Sequence, residues 1–423
     1  MTYSYGGTIL GWLTRILALG AISMCTRADW PQWRGPARDG ITPEPLPKSL
    51  PAAPKQLWKL SIAHGYSGPV VTAGKLIFVD DLGDKETVHC LDATTGKELW
   101  FNAFAERYTD EFEPGPRCTP LVDGDRVYVQ SCKGEFQCLG LMDGAMRWRF
   151  HFSDYGTFWV PDKGSPIGSA NRRGNAGAPV IDGSHIIVQV GSTNGASLCA
   201  FDKLSGKLAW KSQNDLTCYT SPVMGNLAGR HQVVTATCEG LLGLDASNGG
   251  LLWRVPFRTG ANRNALTPIL SGDTVTFASY TTGLRKVKIS TAGNEQSTSD
   301  EWYNKQIKIN LATPVLVAGH LYGLGANRDY ICVDAATGRL DWSQPGFDAV
   351  ASTISDGHRV LVANDVGEVI LLDASPEKYS ELGRFQACGK TFSHPAYTRG
   401  VLYTRDSREI AAWQLQDAPV QQR

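Results

Sequence analysis

The chain has 423 residues, 41 basic against 41 acidic side chains, 42% hydrophobic residues, 45 glycines and 12 tryptophans. This composition excludes a disordered or collagen-like chain, and zero formal charge with no long Lys/Arg run leaves no electrostatic footprint for nucleic acid. Single cores stop growing near about 250–300 residues, so the length calls for several domains or a repeated unit.

The first 28 residues differ from the rest. An apolar stretch from Ile9 to Met24, interrupted by Thr14 and Arg15, runs into Thr26-Arg27-Ala28. Thr26 and Ala28 fit the small-residue positions of a signal-peptidase site, which predicts an exported mature chain beginning at Asp29. The segment before Thr8 has no Lys or Arg, and Cys25 offers a lipid anchor as the lesser alternative, with Met24 bulky for that processing. After this segment no apolar run approaches the roughly 18–20 residues that span a bilayer, so no further transmembrane segment is expected.

The body repeats. Asp92-Ala93-Thr94-Thr95-Gly96-Lys97-Glu98-Leu99-Trp100 aligns with Asp202, Gly206 and Trp210, with Asp245, Gly249 and Trp253, and with Asp334, Gly338 and Trp342. Gly140, Gly144 and Trp148 make a fifth copy with Gly in place of Asp. Asp can accept local N–H groups at a turn entry and Gly supplies the positive φ that closes it, so each copy predicts a hairpin whose next strand carries Trp. Apolar strands such as Lys75–Val79 and Val88–Leu91 precede the Asp, and a Pro-initiated strand precedes those. Proline suits a strand's first position, where its missing N–H costs no ladder bond.

Pro69, Pro120, Pro179, Pro222, Pro268, Pro314 and Pro395 mark such starts, with Ser352-Thr353-Ile354 standing in for an eighth. The Trp position is filled by Trp100, Trp148, Trp210, Trp253, Trp302, Trp342 and, as a substitute, Phe385. The last unit ends at Trp413 without a fourth strand, whereas Gln56–Leu60 has the fourth-strand pattern ahead of the first unit. An all-β, eight-bladed β-propeller of four-stranded antiparallel blades follows, latched by that N-terminal strand. The expected organisation is a signal segment over 1–28, an N-terminal extension over 29–55, the propeller over 56–416 and a tail over 417–423. The repeated indoles are expected to pack between neighbouring blades.

The run Cys90 to Trp100 resembles the tryptophan-docking motif of pyrroloquinoline-quinone-like propeller repeats, found in quinoprotein alcohol dehydrogenases and in non-enzymatic outer-membrane assembly factors of the BamB type. The resemblance spans residues 56 to about 416, and Asp29-Trp30-Pro31-Gln32-Trp33-Arg34-Gly35-Pro36 is similar to the start of exported bacterial propellers. For the dehydrogenases it implies pyrroloquinoline quinone with calcium, an adjacent-cysteine disulfide, a carboxylate–amide calcium site and an Asp base. This sequence has no Cys-Cys pair and no Cys-x-x-Cys-His haem site, which puts the redox chemistry in doubt while leaving the fold intact.

Cys90, Cys138, Cys199 and Cys332 fall in apolar strands and are expected as inert core thiols. Cys118, Cys132, Cys218 and Cys238 could include a disulfide in an exported chain, with connectivity open. The eight histidines show no metal-ligand spacing, so no metal ligands are assigned.

Binding sites on rigid scaffolds gather on long loops. Three connections between blades are long, 101–117, 149–177 and 254–266, and they carry Arg117, Arg172, Arg173 and Arg263. Converging at the channel mouth, these arginines could hold a carboxylate or another anion. The competing expectation is solvated arginines paired with Glu106, Asp110, Glu111, Glu113 or Asp154. His394, before Pro395 at an inner-strand start, is expected to face the channel or to bond within its turn. The expected function is a non-catalytic exported propeller that binds an envelope protein or a small ligand and needs no cofactor. The alternatives are a quinone-dependent dehydrogenase using pyrroloquinoline quinone with calcium, and a carbohydrate-binding or hydrolytic propeller resting on Tyr155, Phe158 and Trp159.

Overall fold

In most of the repeat units three strands are largely apolar, which suits strands covered on both faces. A computed structural model of the chain, in which residues 1–2, 29–110, 113–157, 174–259 and 264–416 are described, shows why. The strands form eight four-stranded antiparallel sheets set around one axis, and neighbouring blades cover each other's faces. In the first blade Lys75–Asp80 is buried from Leu76 onward, while the outer strand Glu98–Glu106 is exposed at alternate positions.

Blades 1 to 7 comprise residues 70–106, 121–151, 180–212, 223–256, 269–304, 315–345 and 351–386. Blade 8 takes three strands from residues 396–414, and its outermost strand is Lys55–Ser61. That strand runs antiparallel to Glu409–Gln414, from Lys55 opposite Gln414 to Ser61 opposite Glu409. The expected latch is therefore present, and the ring has eight blades.

The Asp–Gly turns behave as their spacing predicts. Asp92 Oδ1 accepts the N–H groups of Thr94 and Thr95 at 3.1 and 2.8 Å, and Gly96 closes the turn at φ 74°. A Cβ at Gly96 would lie 2.9 Å from the Trp58 ring, so the turn also needs glycine to admit the preceding blade's indole. The Trp58 indole N–H donates to the Ala93 carbonyl at 3.0 Å. Trp100 donates to Leu141, Trp148 to Lys203, Trp210 to Ala246 and Trp302 to Ala335, each at the position after the Asp of the following blade's turn or its Gly140 equivalent. Trp342 donates to the Ser375 carbonyl in blade 7.

Two positions depart from this pattern. Trp253 lies over Gly243 of its own blade and donates to Gln232 Oε1 at 2.6 Å instead of to a carbonyl of blade 5, although it shares an apolar cluster with Val275, Phe277 and Val287 of that blade. Blade 5 offers it no Asp–Gly turn: its outer hairpin is two ten-residue strands, Gly283–Ala292 and Glu295–Asn304. Gln296 and Thr291 of that hairpin bond the Leu227 and Ala228 carbonyls and take over the contact between blades. Phe385 has no side-chain N–H to donate and packs edge-on against Trp413 at 5.3 Å.

Cys90, Cys138, Cys199 and Cys332 are fully buried in these sheets, as expected of core thiols. No helix among the described residues is long and apolar enough to cross a membrane.

Candidate functional site

The connections from each outer strand to the next inner strand lie on one face of the ring. All eight contribute to one axial cavity of about 190 Å³, from Tyr66 in the first connection to His394 in the last. Its walls carry hydroxyl groups such as Thr119, Ser221 and Thr313, the rings of Tyr66 and Phe392, and the Arg117 side chain.

Its floor is not part of any blade. Trp33 and Arg34 belong to the N-terminal extension, which threads into the axis before leaving to form the latch strand. The extension starts at blade 1, where Asp29 Oδ2 accepts the Thr72 hydroxyl at 2.7 Å and Trp30 bridges Val71. It then bonds blade 2 through the Pro31 carbonyl and the Val122 N–H at 2.8 Å. Arg38 reaches blade 3, donating to the Pro179 and Ala178 carbonyls at 2.6 and 3.0 Å. Arg34 reaches across to blade 6, donating to the Thr313 and Pro314 carbonyls at 2.5 and 2.8 Å. Ile41 bridges Ser355 of blade 7, and the Leu50 N–H bonds the Leu382 carbonyl.

Both guanidiniums are buried and are met chiefly by backbone carbonyls. Burial pushes the pKa of Arg34 down to about 10 and that of Arg38 down to about 9; the nearby Arg34 charge also lowers the latter. Both remain charged at neutral pH. Their backbones hold left-handed φ values of 61° and 62°, which for a side-chain-bearing residue costs of order 1–3 kcal/mol. The carbonyl bonds, each charge-assisted, offset that strain. In sequence, residues 29–55 read only as an extension. The clustering of Trp, Arg and Gly in Trp33-Arg34-Gly35-Pro36-Ala37-Arg38-Asp39-Gly40, outside any strand pattern, is the signal for its axial role.

His394 lines the cavity and is also tied into its turn, so both expected roles meet in one side chain. Its Nδ1 lies 2.8 Å from the Pro395 carbonyl, and its ring stacks on Trp30 at 6.1 Å with Trp33 edge-on at 6.2 Å. Burial, with the Arg34 charge beside it, pushes the His394 pKa down to about 3, so the ring is neutral. Arg117 is largely buried, pairs with Asp110 at 3.1 Å and donates to the Glu113 carbonyl. Its guanidinium lies over the Tyr66 ring at 4.9 Å. Arg172, Arg173 and Arg263 lie outside the described residues, as do Phe158 and Trp159. Of the aromatic loop only Tyr155 is described, and it packs edge-on against Phe150 and Phe201.

Residues 51–156 and 159–344 match the family described as the outer membrane protein assembly factor BamB. The chain belongs to that family. Among solved structures, BamB from Moraxella catarrhalis is 17% identical and superposes with a TM-score of 0.59 over 86% of this chain and 98% of its own. The quinohemoprotein alcohol dehydrogenase ADHIIG from Pseudomonas putida HK5 is 11% identical, with a TM-score of 0.60 over 94% of this chain and 82% of its own. The computationally designed Ika8 protein is 11% identical, with a TM-score of 0.58 over 85% of this chain and 99% of its own. At these identities the likenesses establish the propeller fold. No curated protein matches the chain.

The axial cavity is a poor fit for a quinone–calcium pair. Calcium takes six to eight oxygen ligands and is ordinarily held by carboxylates, yet no Asp or Glu lies among the described residues that line the cavity. Two arginines line it instead, and about 190 Å³ falls below the roughly 300 Å³ at which pockets for drug-sized ligands begin.

Proposed function

We propose that this BamB-family chain is an exported, non-catalytic propeller that serves as a binding scaffold in the cell envelope. The observation that carries this reading is the crossed axis: Trp33 and Arg34 floor the cavity, and Arg34 and Arg38 tie the extension across to blades 6 and 3, where a larger ligand would otherwise pass. A ring plugged by its own chain presents a rigid walled face with a shallow, cationic and aromatic centre. Such a face suits docking of a protein segment or a small anion better than it suits bond-making chemistry. The apolar segment ahead of Asp29 and the membership of the BamB family support export and an envelope location.

The test has two arms. Purified protein mixed with pyrroloquinoline quinone and Ca²⁺ should bind no stoichiometric chromophore and reduce no dye with alcohols or sugars. Affinity capture from envelope extracts should recover a partner that is lost when residues 158–173 are deleted. Quinone binding with turnover would overturn the scaffold reading, and a partner list indifferent to the deletion would count against those residues as partner-binding.

A further inference from the structure

We propose that Cys218 and Cys238 form an intrachain disulfide when the chain folds under oxidising conditions, fixing one wall of the axial cavity. Cys218 lies in the connection between blades 3 and 4, and Cys238 lies in the turn between the strands Arg230–Ala236 and Gly240–Asp245. Their Sγ atoms are 3.3 Å apart, and both residues are buried. A disulfide bond is about 2.05 Å long, so closure needs an approach of roughly 1.3 Å, within reach of side-chain rotation.

The backbone already holds the two segments together. Thr217 and Thr237 form an antiparallel bridge, and the Cys238 N–H donates to the Leu216 carbonyl at 2.9 Å. Asn264 clamps both from the next connection: its side-chain amide donates to the Thr237 carbonyl at 2.7 Å, and its carbonyl accepts the Tyr219 N–H at 3.2 Å. Cys118 is directed at the Asn175 carbonyl at 3.1 Å and has Cys132 as its neighbour, so of the four cysteines that sequence leaves open the geometry gives Cys218 the partner Cys238. The connection that carries Cys218 also places Tyr219 and Ser221 in the cavity wall. A bond there ties this wall to the blade 4 hairpin.

Exchange occurs before the segment is buried. Burial pushes the Cys218 thiol far above its ordinary range, and only the thiolate attacks. In the folding chain one cysteine thiolate attacks an external disulfide, of a small molecule or an oxidising protein, and expels one thiol. The second cysteine thiolate then attacks the mixed disulfide and expels the other. Two protein thiols become one disulfide, and the external disulfide becomes two thiols, so electrons and protons balance.

Trypsin separates the pair: residues 212–230 contain Cys218 as their single cysteine, and residues 231–254 contain Cys238. The full chain is produced once in a reducing cytosol and once by export to an oxidising compartment, alkylated with a maleimide while denatured, and digested without reductant. The exported sample should yield 212–230 joined to 231–254 at about 2 Da below the summed masses, with both peptides fully alkylated in the cytosolic sample. The exported form should also melt at a higher temperature, and that difference should vanish in Cys238→Ala. Alkylation of both cysteines in the exported sample, or Cys218 joined to another cysteine, overturns the proposal; because the peptide map uses wild-type protein, this holds even where the variant fails to fold.

Discussion

Trp58 and Ala93 are joined by an indole N–H to carbonyl hydrogen bond of 3.0 Å that spans the junction where the ring closes. Trp58 sits on the latch strand of blade 8, 35 residues ahead of Ala93 in the Asp–Gly turn of blade 1, and that strand is also paired with Glu409–Gln414, so the contact ties blade 1 to the strand pair that closes the ring. It differs in consequence from its copies at Trp100 or Trp148 because its strand alone pairs with a strand from the C-terminal end of the chain.

Trp58→Ala should therefore destabilise the whole ring. The side chain is buried, and loss of a large aromatic from a packed site costs about 3–5 kcal/mol. Thermal unfolding should show a lower midpoint, with faster hydrogen exchange along Lys55–Ser61 and Glu409–Gln414. A midpoint within a degree of wild type would remove the latch from the stability argument.

Gly96 and Gly74 allow steric clash to be separated from backbone strain. Their φ values are 74° and 75°, but a Cβ at Gly96 would meet the Trp58 ring at 2.9 Å whereas one at Gly74 would meet nothing within 4 Å. Gly74→Ala should cost about 1–2 kcal/mol, the penalty of a left-handed alanine. Gly96→Ala should cost that and about 1–3 kcal/mol more for overpacking. Equal losses in chemical denaturation would show that the indole yields freely.

His394 and Glu86 predict opposite pH dependences. The folded His394 pKa lies near 3 against an ordinary 6.5, so the unfolded chain takes up this proton first and stability falls as pH drops from 6.5 toward 3. Burial pushes Glu86 up to about 8 from 4.5, against the pull of Ser131, Arg117 and Lys133. Its contribution is full below pH 4.5 and is lost as pH rises toward 8. Each effect is of order a few kcal/mol. Melting curves across pH 4–9 should show His394→Gln flattening the acid limb and Glu86→Gln raising stability near pH 8; unchanged limbs in both variants would count against the buried-group account.

Arg34 and Arg38 hold the axial segment through carbonyls, so replacing either by Met leaves buried acceptors without donors. Each unsatisfied group costs about 1–3 kcal/mol, reduced by relief of the guanidinium's desolvation. The local signature is sharper than the global one. Exchange should quicken at the Thr42 N–H bonded to Ser355 and at the Val71 N–H bonded to Trp30. Protection unchanged at both amides would mean that the plug is held by its tryptophans alone.

The blade count was legible because each blade must solve the same local problem. Asp92 and Gly96 act within one turn, Trp100 follows four residues later, and Pro69 opens an inner strand, all within a short stretch of chain. The latch was legible because a four-strand unit short of one strand must find it elsewhere. Trp253 shows the limit: it has the sequence spacing of its fellows and packs against blade 5, but its hydrogen-bond acceptor depends on what blade 5 presents, and a long hairpin there offers no Asp–Gly turn.

The site was less legible. Nothing local in Arg34 or Arg38 tells that their guanidiniums meet carbonyls of blades 6 and 3, because those acceptors lie some 280 and 140 residues away along the chain. The sequence by itself determined the repeating sheet, its eightfold count and the mode of closure, since turn chemistry and hydrophobic periodicity act over a few residues. Only the tertiary structure decided that the N-terminal extension fills the axis, that Arg117 is spent on Asp110, and that Cys218 meets Cys238, because each depends on which distant segments the closed ring brings together.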